Sequence, residues 1–133
     1  MTANIDAFNE AAGVILARLY ESFPTPISLG IEEFAGNENT LEQRLYFDTI
    51  KFLEQEGYLR IGRYLTGLHI AGVVLTQRGL ALLGERLSAL QSTVTFGDRI
   101  REITKSGAKE LLIPVIKELL IRGTQNYLPG YGA

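Results

Sequence analysis

Apolar residues recur every third or fourth position through Ile5, Phe8, Ala12, Ile15, Leu16, Leu19, Tyr20 and Phe23. One stripe of this period predicts an amphipathic helix. It should begin near residues 4–6, where short polar side chains can accept from free backbone N–H groups. It must stop before Pro24, because the SFPTP run at 22–26 cannot continue a helix. Residues 27–29 are at most a short extended piece, and 31–35 supply one or two helical turns closed by Gly36. After the polar loop 37–39, Thr40 is a plausible N-cap, with Gln43 three residues on in the capping-box arrangement. The helix that follows is expected over 41–56, with Leu45, Tyr46, Ile50, Leu53 and Phe52 on its buried side. Gly57 ends it, since glycine takes the left-handed conformation at little steric cost.

The period then changes from helical to alternating. Residues 58–65 place Leu59 and Ile61 on one face and Arg60 on the other, as in a strand. Thr66-Gly67 marks a turn, and HIAGVVL at 69–75 should pair back antiparallel. Thr76 caps a helix expected over 77–90, with Leu80, Leu83, Leu87 and Leu90 on one face. A polar link at 91–95 leads to a short helix at 96–105. Residues 108–122 read as a strongly apolar helix, in which Pro114 either interrupts the middle or marks the first turn of a shorter helix, and 125–133 read as a flexible tail. The expected class is therefore mainly α with a small β-hairpin.

Three stretches in this order resemble a winged helix-turn-helix domain across residues 1–90. Ile31-Glu32-Glu33-Phe34-Ala35 is similar to the first helix of the helix-turn-helix. The run from Ile50 and Leu53 to Gly57-Tyr58-Leu59 is similar to the end of the third helix entering the wing. Leu75-Thr76, Gly79 and Leu83 are similar to the exit from the wing. More loosely, the LTQRG exit with a helical tail is similar to small bacterial and phage winged-helix proteins. The resemblance implies DNA binding and transcription regulation, with the third helix in the major groove and the wing on the backbone. The residues it puts forward are Gln43 and Arg44 as base readers, Lys51 as a phosphate contact, and Arg60, Arg63 and His69 on or near the wing.

Charge points the other way. The chain of 133 residues has a net charge of −2, and residues 30–63 hold seven acids against four bases. Glu42 and Asp48 would face a polyanion. Phe47 stands on the reading face, and the hairpin tip carries Tyr64, Leu65 and Leu68 where a DNA-contacting wing more often has Arg or Lys. Exposed apolar groups of that kind suit a protein partner or the chain's own tail helix. A protein-interaction module without DNA binding is therefore the second reading, with Phe47, Leu65 and Leu68 as contacts.

The segment 91–124 is read as a helical extension. Leu112, Val115, Ile116, Leu119 and Leu120 belong to a helix apolar over most of its circumference, which must be buried on more than one side. It either caps the core of the first part or pairs with its twin; homodimerisation is the preferred expectation, since regulators of this layout often pair through terminal helices. No enzyme activity, cofactor or metal is expected. There is no cysteine and one histidine, and the glycines near the hairpin lack the strand-to-helix setting of a phosphate loop. No signal peptide or transmembrane stretch is expected, and the cytoplasm is the expected location.

Overall fold

The computed structural model describes residues 4–87 and 93–126. Its architecture is mixed α and β, and one helix is its spine. Helix α1 (Asn4–Ser22) buries Ala11, Ala12, Ile15, Leu16 and Leu19, and meets α3 (Thr40–Gln55), β4 (His69–Leu75), α5 (Phe96–Ser106) and α6 (Leu112–Asn126). Small residues make this possible. A Cβ at Gly13 would stand 2.9 Å from the methyl carbons of Leu112, so glycine lets α6 approach closely. The predicted stripe holds from Phe8 onward, but Ile5 is 65% exposed and lies outside the core.

The chain then forms β1 (Ile27–Gly30), the single turn α2 (Glu32–Ala35) and the long helix α3 (Thr40–Gln55). The cap of α3 lies one residue earlier than expected. Asn39 accepts from the Glu42 N–H at 3.0 Å, Thr40 is already helical, and Gln43 donates to the Gly36 carbonyl instead of closing a capping box. Asparagine is as good a cap as threonine, and the loop brings Asn39 into place first. At the other end Gly57 has φ +86°. Its N–H meets the Glu54 carbonyl at 3.0 Å, and the Tyr58 N–H meets that of Leu53 at 2.9 Å. This paired closure is the Schellman arrangement, with buried Leu53 and Tyr58 as its apolar partners.

The sheet is antiparallel, with β4 (His69–Leu75) at its centre. It pairs with β1 on one side and with β2 (Leu59–Arg60) and β3 (Arg63–Leu65) on the other. The strand expected over 58–65 is thus split. Gly62 donates to both Ala71 and Gly72 carbonyls, at 2.9 and 3.1 Å, and its Cα lies near that of Gly72. Two glycines crossing so closely interrupt the ladder without changing its register, since Leu59 faces Leu75 and Tyr64 faces Ile70.

Helix α4 (Gln77–Leu83) is capped by Thr76, which accepts from the Gly79 N–H at 3.0 Å. It is shorter than the predicted 77–90. The chain turns at Gly84, and residues 85–87 run back along 94–96, with the Phe96 N–H on the Glu85 carbonyl at 2.9 Å. Leu90 and part of the 91–95 link lie outside the described residues. Helix α5 (Phe96–Ser106) follows, then a 3-10 turn (Lys109–Leu111) and α6 (Leu112–Asn126). Pro114 falls in the first turn of α6, where the N–H it lacks would have had no helical partner. The tail 127–133 lies outside the described residues.

One apolar cluster runs from α1 through α6, so the segment after residue 90 shares the core of the first part. Leu112, Val115, Ile116 and Leu119 are buried in it and Leu120 is partly buried. The face expected to pair two copies is used inside one chain, because α1 offers an apolar surface wider than α3 and the sheet cover. Sequence reading missed Asn9, which is buried on α1 with no hydrogen-bond partner for its Nδ2 among the described residues.

Candidate interaction surface on the third helix

Helix α3 buries Tyr46, Thr49, Ile50 and Leu53 and turns its remaining faces outward. The Thr49 hydroxyl is satisfied by the Leu45 carbonyl at 2.7 Å, so a polar side chain is tolerated there. Phe52, expected on the buried side, is 44% exposed and meets Phe8 edge to face, at 5.3 Å between centroids.

The residues expected to read nucleic acid are drawn in different directions. Gln43 is engaged with the Gly36 carbonyl. Arg44 is exposed and its Nε lies 3.3 Å from Asp48 one turn on, which sets a carboxylate beside the charge that a base or phosphate would meet. Lys51 sits 5.7 Å above the Phe47 ring. His69 Nε2 is 3.0 Å from the Glu32 carboxylate, tying the tip end of the hairpin to α2. Arg60 and Arg63 are exposed, and their side chains make no hydrogen bond or ion pair among the described residues.

Of the apolar residues at the hairpin tip, Tyr64 is brought against α3. Phe47 is half-buried under Tyr64, with ring centroids 5.8 Å apart. Burial raises the Tyr64 phenol pKa, and Glu54 adds to the shift. Leu65 and Leu68 are exposed at the tip. Leu68 has φ +62°, a region that costs a branched side chain energy, and its carbonyl holds the Ile31 N–H at 3.1 Å.

An open groove of about 1160 Å³ lies between the N-terminal half of α1 and α3. Its apolar lining includes Ala7, Phe8, Ala11, Leu45 and Phe52, and Leu41 stands at its edge 83% exposed. The carboxylates of Glu10, Glu42 and Asp48 line it as well, against one cation among the described residues, Arg44. The side chains of Glu10 and Glu42 have no ion pair or hydrogen bond among the described residues. Sequence reading missed this groove. A leucine directly after a helix start, at a position that is usually solvated, was its one local signal.

Buried Tyr46 lies in the groove wall, stacked on Phe34 at 5.2 Å. Its phenol pKa is pushed up to about 12, first by burial and then by Glu42 and Glu10. A raised pKa in the folded state gives stability that is whole below the unfolded value of 10.0 and is lost as pH rises towards 12. Denaturant unfolding at pH 9 and pH 11 should therefore show a loss for the native chain roughly 1 kcal/mol larger than for Tyr46→Phe. Equal losses would mean that this phenol titrates as freely folded as unfolded.

Among the described residues no group of three His, Asp or Glu side chains could hold a metal ion, and no helix is long and apolar enough to cross a membrane. No protein-family model, no curated protein and no solved structure matches this chain.

Proposed function

We propose that the chain is a non-enzymatic winged-helix protein that acts by docking another protein on its third helix. The winged-helix reading is supported by the element order: a helix, a strand, two helices and a hairpin whose second strand pairs with the first strand of the fold. The observation that carries the docking reading is the surface of α3. Its two base-reading candidates, Gln43 and Arg44, are already engaged within the chain, while Leu41 and Phe52 stand in solvent beside unpaired carboxylates. A helix so equipped is poorly matched to a phosphate backbone and well matched to an apolar partner surface.

A second reading, a DNA-binding regulator, is favoured by one specific observation. Arg60 and Arg63 on the hairpin are exposed and unpaired among the described residues, where a wing would meet a phosphate backbone. A salt titration with random duplex DNA separates the two. Binding should be absent at about 50 mM salt, where phosphate contacts are strong. Binding that weakens steeply with added salt, and that Arg60→Ala with Arg63→Ala removes, would establish the DNA reading in place of the docking one.

A further inference from the structure

We infer that the groove between α1 and α3 receives a helix from another protein, apolar along one side and flanked by lysine or arginine. This rests on the docking reading above and names the chemistry of the partner. The groove has a floor and two walls of suitable length. Leu41 and Phe52 are eleven positions apart on α3, which at the helical rise spans roughly 16 Å, or about three turns of a facing helix. Ala7 and Ala11 keep the α1 side low between them, so a facing helix can settle against Phe8 and Leu45. Anchors at i, i+3 or i+4 and i+7 fit such a trough.

Charge selects among occupants. Among the described residues, Glu10 on α1 and Glu42 on α3 stand on opposite walls, unpaired, while the cation in the lining, Arg44, lies 3.3 Å from Asp48. Desolvating two bare carboxylates is costly unless the incoming surface supplies cations. Two copies meeting groove to groove would set these acids against themselves, because a two-fold interface repeats the same patch on both sides. The chain's own tail, YLPGYGA at 127–133, carries neither lysine nor arginine. A basic, apolar-striped helix satisfies both the floor and the rim.

The test uses the full chain and fluorescent peptides of about 14 residues, enough for roughly four helical turns. One has leucines at helical spacing and lysines elsewhere, a second has glutamate for each lysine, and a third has the leucine–lysine order scrambled. The first should bind at least about tenfold more tightly than the other two. It should shift backbone amide resonances of α1 and α3, and lose about tenfold in affinity with Leu41→Lys or with Glu10→Lys and Glu42→Lys together. Leu41 is exposed, so that variant should keep the native circular dichroism. Equal binding of the scrambled peptide, or resonance shifts away from the groove, overturns the inference. Preference for the glutamate peptide at the same amides overturns the basic partner but leaves protein docking standing. A dimer that Leu41→Lys dissociates identifies a second copy as the occupant and overturns it too. Failure of all three peptides, with duplex DNA shifting the α3 amides instead, overturns both this inference and the reading beneath it.

Discussion

Phe96→Ala should destabilise the chain by about 3–5 kcal/mol, the range for emptying a buried aromatic site. In a domain of this size the midpoint temperature should fall on the order of 10–20 °C. Phe96 opens α5 and is fully buried where the ends of α4, α5 and α6 meet. Its neighbours are poorly able to collapse into the space. Gly97 beside it lies under the ring of Tyr20, to which a Cβ would approach within 2.5 Å. Arg122 on α6 lies 5.3 Å over the Phe96 ring and is held by Glu85 at 2.9 Å and Glu118 at 2.8 Å. These partly buried ion pairs fix the guanidinium above the aromatic face, so truncation also leaves the arginine without its ring. Phe96→Leu should cost much less, because a large apolar side chain still fills most of the site. A loss under about 1 kcal/mol in urea unfolding of Phe96→Ala would mean that α5 is an appendage rather than part of the core.

That prediction bears on the boundary expected near residue 90. The sequence places a polar link there, and polarity is what a linker and a surface turn have in common. What distinguishes them is long-range pairing, the return of residues 85–87 along 94–96, and nothing local announces it. Gly84 was the available signal for the early end of α4. The apolar breadth of 112–121 was legible as burial on several sides, but not whether those sides belong to one chain or two. The answer depends on α1, whose Gly13 makes a seat for Leu112. Close approach of this kind is read from pairs of residues a hundred positions apart.

The candidate surface was less legible than the fold, for a related reason. Periodicity tells which residues of α3 are inside, and Tyr46, Ile50 and Leu53 follow it. It does not tell which outward residues share a groove with another helix. Periodicity puts Phe8 and Phe52 each in the core, and they are partly so, but against each other at the edge of the molecule. Likewise the type of a polar residue suggests a ligand only when its side chain is free. Gln43 and Arg44 have the right chemistry for bases, yet Gly36 and Asp48 hold them. The motif around Gly57, by contrast, was legible in full, because a Schellman closure needs only the six residues that form it.

Gly79→Ala should cost about 3 kcal/mol, although alanine is the better helix former by roughly 1 kcal/mol. The reason is the neighbouring backbone at the end of α3. A Cβ at position 79 would enter the Tyr58 carbonyl oxygen, and would lie 3.1 Å from the carbonyl carbon and 3.4 Å from a Leu75 methyl. That carbonyl cannot withdraw freely. It accepts from the Thr76 N–H at 3.1 Å, and the Tyr58 N–H is closed onto Leu53. The Tyr58 ring is pinned as well, under the Arg78 guanidinium at 4.4 Å and against Gly123, where a Cβ would be 2.5 Å from the phenol oxygen. Arg78 in turn donates to the Glu56 carbonyl and reaches Gly123. To admit one methyl group, α4 must slide along β2, and α6 and the end of α3 must follow. Gly107→Ala is the control. It closes α5 in the left-handed region, at φ +82° and ψ −2°, with nothing within 4 Å of its Cβ, so it should lose only the left-handed penalty of roughly 1–2 kcal/mol. Urea midpoints of the two variants decide the matter, and a Gly79→Ala midpoint at or above that of Gly107→Ala would show that the junction yields. If it does not yield, the direction in which α3 leaves the core is fixed by Gly79, Tyr58 and Arg78. The groove that α3 forms with α1 then depends on residues at the far end of the helix from Leu41.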